Sequence, residues 1–239
     1  MRKLLLGLCL ILSSMLYAGQ YTEKDPLNNK EKSLVRIAAT AAKGDLAGLK
    51  DVLNNGLDDG LTINQIKEGI IHLYAYAGFP RSIRGLQTLM AVLEERKAKG
   101  INDRTGADAS PIRNDQTKYD RGKAILEQLT GVPEGDPKTG YAAFAPTIEV
   151  FLKEHLFADI FERDVLSHAE RELVTVSVLA SIGGVEPMLK SHLTICLHIG
   201  LSAEKLVQFI SVIGSTVGEK ESLNAQKVLD GILAEISKI

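Results

Sequence analysis

The sequence contains no tryptophan, and aromatic residues make up only 5% of it. Valine is modest, while Ala, Leu, Ile, Lys and Glu dominate, a composition that favours helix over strand. Cysteine is almost absent too, with Cys9 and Cys196 the only two. Charge of one sign is also lacking: 28 Lys and Arg stand against 30 Asp and Glu, and the basic residues are scattered. That argues against nucleic acid as a partner, since such binding depends on clustered cations that neutralise phosphates. Beyond the first eighteen residues no apolar run is long enough to span a bilayer.

Residues 1–18 have the layout of a secretory signal peptide. Arg2 and Lys3 are followed by the apolar stretch Leu4 to Leu12, then Ser13 and Ser14, with a cleavage point after Ala18. The protein is therefore expected to be periplasmic or secreted, with no membrane contact after signal removal. Cys9 would leave with the signal, and the lone Cys196 permits no intramolecular disulfide. Stability must come from the core, which the 45% hydrophobic content can supply.

The apolar spacing is helical. Ile63, Ile66, Ile70, Leu73, Tyr74 and Ala77 recur at three- and four-residue intervals, as do Leu189, His192, Leu193, Cys196 and Leu197. Thr62 with Gln65 and Ser167 with Glu170 form capping-box pairs, and Gly60, Gly78, Gly200 and Gly218 mark helix ends. At an offset of 140 the chain matches itself without a gap. Gly44, Leu49, Lys50, Leu53, Leu57, Gly60, Leu61, Ile70 and Gly78 meet Gly184, Leu189, Lys190, Leu193, Leu197, Gly200, Leu201, Ile210 and Gly218. Each copy reads as four helices separated by Gly turns. The expectation is an all-α chain with an N-terminal extension at 19–31, a first module at 32–99 and a linker at 100–140. The linker carries one short helix, Lys118 to Leu129. A second module at 141–239 opens with a leading helix from Tyr141 to Arg163.

Two stretches resemble the carboxymuconolactone decarboxylase family of the alkylhydroperoxidase (AhpD)-like superfamily. One runs from Asn54-Asn55-Gly56-Leu57 through Gly60-Leu61-Thr62 to Ile71-His72-Leu73-Tyr74-Ala75-Tyr76-Ala77-Gly78-Phe79-Pro80. The other comprises Arg171-Glu172-Leu173-Val174-Thr175, Gly183-Gly184-Val185-Glu186-Pro187 and Leu189-Lys190-Ser191-His192. The segments Arg121 to Gly131 and Phe157 to Phe161 are similar to tandem members of the family. The resemblance implies packed antiparallel AhpD-like helical modules, and a homo-oligomer, most simply a trimer of tandem chains.

The redox branch of that superfamily places a CxxC pair four and seven residues before a histidine. Here those positions hold Met188 and Val185 before His192, and Gly48 and Asp45 before Val52 in the first copy. Thiol-based peroxide reduction needs a low-pKa thiolate and a resolving thiol, so that chemistry is disfavoured. Decarboxylation instead needs a held carboxylate, a stabilised oxyanion and a proton delivered to carbon, with no metal or organic cofactor. Histidine suits the proton step and a hydrogen-bonding group suits the oxyanion. The resemblance points to His192, Glu172 and His72 as catalytic candidates, with Tyr76, Tyr74 and Arg171 to contact a small lactone or carboxylic acid.

Each candidate has a plainer alternative: a core histidine for His192 and His72, a helix-dipole partner for Glu172, packing for the tyrosines and solvated surface for Arg171. Cys196 lies one turn from His192, but His198 projects elsewhere, so no metal site is expected; Cys196 reads as a small buried hydrophobe. Only the first copy keeps the His72–Pro80 run and only the second keeps Arg171, Glu172 and His192. One composite pocket between the copies is therefore expected. A non-catalytic helical binding or assembly module of the same fold is the alternative.

Overall fold

The computed structural model describes residues 26–112, 115–135 and 137–238, and the expected signal peptide lies outside them. Among the described residues the regular structure is all helical. The first copy contributes α1 (Asn29–Lys43), α2 (Leu46–Asp58) and α3 (Ile63–Ala98). Between the copies lie α4 (Lys118–Thr130), α5 (Gly140–Phe144), α6 (Pro146–Phe151) and a π-helix (Leu152–Phe161). The second copy adds α7 (His168–Ile182), α8 (Glu186–His198), α9 (Ala203–Val217) and α10 (Glu219–Ile236).

The 140-residue offset is visible in three dimensions. Helix α2 corresponds to α8, and α3 to α9 and α10. Helix α3 is broken at Gly78 (φ 79°, ψ 162°) where Gly218 (φ 120°, ψ 164°) separates α9 from α10. These left-handed φ values are open to glycine and strained for other residues. Both predicted capping boxes form, Thr62 with Gln65 and Ser167 with Glu170. Even surface ion pairs repeat: Lys50–Glu95 and Lys190–Glu235, each at 2.7 Å.

The copies are joined through α1 and α7, which pack along each other. Val35 and Ala39 of α1 enter the core built around α8, α9 and α10, while Val174 and Val178 of α7 enter the core built around α2 and α3. Each central helix thus shows one face to its own copy and one to the other. Every residue of α7 from Arg171 to Ser181 is buried as a result.

Two expectations need correction. The first helix starts at Asn29, capped by Asn28 and Glu31, so part of the expected extension belongs to it. The leading helix over Tyr141 to Arg163 is not continuous: it breaks at Ala145, just before Pro146, and continues in π register from Leu152. Proline clashes with the preceding turn and lacks an N–H, so it starts a helix readily and interrupts one at cost. The π segment lies so close to α4 that a Cβ on Gly122 would fall 2.0 Å from the Lys153 carbonyl oxygen. Helix α4 therefore requires glycine there. Lys153 itself is fully buried, bonded to Glu149 and Glu134 and to the Tyr119 hydroxyl at 3.0 Å.

Candidate active site

Glu68, His72 and Tyr76 recur every four residues on α3 and so share one face. That face meets Arg171, Glu172 and Thr175 of α7, and His192 of α8 approaches from the other side. Side chains from both copies therefore meet in one cluster. Tyr76 is its centre, with ring centroids 5.5 Å from His72 and 5.7 Å from His192, the second contact edge-on at 86°.

His192 and Glu172 form a dyad. Nδ1 of His192 lies 2.8 Å from Oε2 of Glu172, whose side chain is completely buried, while 14% of the His192 side chain is exposed. The second carboxylate oxygen, Oε1 of Glu172, and the Tyr76 hydroxyl are buried without a hydrogen-bond partner among the described residues. Burial, together with the Glu172 charge, pushes the Tyr76 phenol far above its ordinary value, against smaller opposing pulls from Thr175 and Arg171. The phenol stays protonated and can serve only as a neutral donor or acceptor.

His72, expected as a second proton-transfer group, stands behind Tyr76 with no exposed surface. The Thr175 hydroxyl lies 2.8 Å from His72 Nε2 and 3.0 Å from the Arg171 carbonyl, so it can accept from the ring while donating to the carbonyl. The neutral tautomer with hydrogen on Nε2 suits this arrangement, because Nδ1 then accepts from Arg171 Nη1, 3.5 Å away, which can only donate. Burial first, then the Arg171 charge and His192, hold the His72 pKa well below its ordinary 6.5. Both ring nitrogens are engaged, which makes His72 a positioning group.

This has a measurable consequence. A histidine held neutral in the folded state favours unfolding once the unfolded chain begins to take up a proton. The stability His72 contributes is fully present above pH 6.5 and falls as pH drops below it, toward the depressed folded value. His168, half-buried and also shifted down, adds to the same slope. Urea melts between about pH 7 and pH 5 should show stability decreasing with acid, and His72→Gln should flatten that slope. An unchanged slope in the variant would mean that His72 takes up protons equally in the folded and unfolded chains.

Arg171 corrects the surface expectation: its side chain has no exposed area. Nη2 donates to Glu68 Oε1 at 2.8 Å and to the Arg163 carbonyl at 2.5 Å. Arg163 grips the same carboxylate through Nε at 2.8 Å and Nη2 at 3.0 Å. Although burial alone would raise Glu68, the hydrogen bonds and charges of the two arginines hold it below the usual carboxylate range. Arg171 is thus committed to an internal ion pair and is not free for a substrate. Tyr74 is not brought to the dyad either. Its ring stacks on Phe79 at 4.5 Å and lies 5.4 Å from His155.

Glu68, Thr175 and Arg163 are neighbours of the cluster missing from the sequence-based set. The four-residue spacing of Glu68 from His72, and a threonine within the apolar run after Leu173, were their only signals. At the positions of the redox cysteines, Val185 caps α8 and Met188 is 52% exposed. Cys196 is buried, and burial followed by the Glu172 charge pushes its thiol well up, away from thiolate reactivity. Among the described residues no three His, Cys, Asp or Glu side chains gather as a metal site, and no helix is long and apolar enough to cross a membrane.

The sequence profile of the carboxymuconolactone decarboxylase family matches residues 13–90 and 146–230, about two-thirds of the chain in two segments. The chain belongs to this family. Its two matched segments carry the two structural copies, so it is a tandem member, and the His192–Glu172 dyad lies where they join. No curated protein matches the chain.

Proposed function

We propose that this tandem family member is an exported, cofactor-independent acid–base enzyme of the decarboxylase or lyase type, acting on a small lactone or carboxylic acid. One observation carries the reading: a partly open imidazole is held by a fully buried carboxylate beside polar atoms with unused hydrogen-bonding capacity. In the proposed reaction the C–C bond to the substrate carboxylate breaks, CO₂ leaves, and the bonding electrons spread into the conjugated carbonyl. Protonated His192 then delivers a proton to carbon and recovers one from water at its exposed edge. Glu172 orients the ring. The Tyr76 hydroxyl is the nearby donor for the developing oxyanion.

The direct test supplies the mature protein, without added metal or cofactor, with unsaturated lactone carboxylates and follows CO₂ release. Release from none of them would favour the non-catalytic binding module. Assembly as a homo-oligomer, most simply a trimer, belongs to the same proposal. Ile83 and Met90 beyond the kink of α3, and Leu223 and Ile236 of α10, are large apolar side chains left exposed. Light scattering should give a multiple of the chain mass, and a monomer mass at all concentrations would end this part of the proposal.

A further inference from the structure

On the far side of the buried Arg171–Glu68 pair lies a cleft of about 650 Å³ between α4 and the turn from the π-helix into α7. Its apolar lining includes Ile125, Phe161 and Leu166. The Phe161 ring also meets His72 edge-on at 5.0 Å, so one aromatic ring separates the cleft from the internal cluster.

Arg121 and Arg163 line this cleft, and each guanidinium is anchored. Arg121 uses Nε on Glu162, at 3.0 and 3.1 Å, and Nη1 on the Gln116 carbonyl at 2.8 Å. Arg163 uses Nε and Nη2 on Glu68. Nη2 of Arg121 and Nη1 of Arg163 remain without a hydrogen-bond partner among the described residues. Three acidic residues line the cleft as well. Glu162 is engaged by Arg121, Asp164 accepts from the Ser110 amide at 2.8 Å, and Asp115 shares no hydrogen bond with either arginine, so an anion must be held by the guanidinium donors against its charge. His168 lines the same cleft and is held toward its neutral form, first by burial and then by the Arg171 charge.

Pre-positioned guanidinium donors beside an apolar wall suit a carboxylate joined to a flat or compact hydrocarbon body. We propose that the cleft is a second small-molecule site, separate from the His192 dyad, for organic monoanions of the aryl carboxylate kind. It stands whether or not the dyad is catalytic.

Benzoate is the probe, titrated into the mature full chain, with neutral benzamide as comparator. Benzoate should bind saturably with one site per chain, and benzamide about tenfold or more weakly, the worth of one charge-assisted hydrogen bond. Arg121→Gln should weaken benzoate by a similar factor. Ala124→Trp, at an exposed position lining the cleft, should do so by filling it without touching an ion pair. This second variant keeps the test valid if Arg121→Gln fails to fold. His192→Asn should leave benzoate binding unchanged. The proposal is overturned if benzoate does not saturate, if benzamide binds equally well, or if His192→Asn abolishes binding while Ala124→Trp leaves it intact.

Discussion

His192→Asn should lower turnover by about 10²–10⁴-fold, the usual contribution of a positioned general acid or base, while leaving the melting temperature almost unchanged. The separation of the two effects is the informative part. His192 lies at the edge of the cluster with 14% of its side chain exposed, and asparagine can still bond to Glu172. Glu172→Gln should also reduce turnover: making the orienting carboxylate of a serine-protease triad an amide costs up to about 10⁴-fold while leaving the geometry intact. Here the amide would replace the carboxylate that orients the imidazole 2.8 Å away. Full turnover in both variants would remove the dyad from the mechanism, and a large fall in melting temperature without a specific loss of rate would make it a packing feature.

Arg171→Met should destabilise the fold by about 3–5 kcal/mol, the range seen when one partner of a buried ion pair is removed. Methionine fills much of the same space but offers no donor. Glu68, with 3% of its side chain exposed, would keep only Arg163, while the Arg163 carbonyl would lose its guanidinium donor. For a chain of this size, about 2–4 °C per kcal/mol implies a Tm lower by roughly 6–20 °C. Arg163→Met should cost less, since 36% of that side chain is exposed. Adding Glu68→Met to Arg171→Met should recover part of the loss, because it removes the carboxylate left short of a partner. Thermal and urea unfolding of the three variants would check this ordering. A loss below about 1 kcal/mol in Arg171→Met would place the pair energetically among surface ion pairs.

Much of the fold was legible because glycine punctuates it. Gly60, Gly78, Gly200 and Gly218 sit at left-handed φ where the helices were expected to stop. The 140-residue offset then carried the plan of one copy onto the other. The π-helix was not legible, because the apolar run from Leu152 to Phe161 does not distinguish α from π register at this length. For the site, His192, Glu172 and Tyr76, all singled out from sequence, lie next to one another. The burial of Arg171 could not be read from its neighbours in the chain. It depends on Glu68, 103 residues away, and on packing against α1, and an arginine near a helix start resembles a surface residue until those partners are known. His72 was misleading for a related reason. Its tautomer is set by the Thr175 hydroxyl and by Arg171, both from the other copy.

The exchange of faces between α1 and α7 bears on how such a chain can diverge. In an assembly of identical single modules, every substitution at a shared seam is made twice, and a buried carboxylate must find a partner on both sides. Covalent fusion lifts that constraint. Lys32 occupies the place in α1 that Glu172 occupies in α7, and Val52 the place of His192. The desolvation of one carboxylate is therefore borne once per chain, and its mirror position remains free for other work. Asymmetry of this kind is open to a single polypeptide and closed to a homodimer.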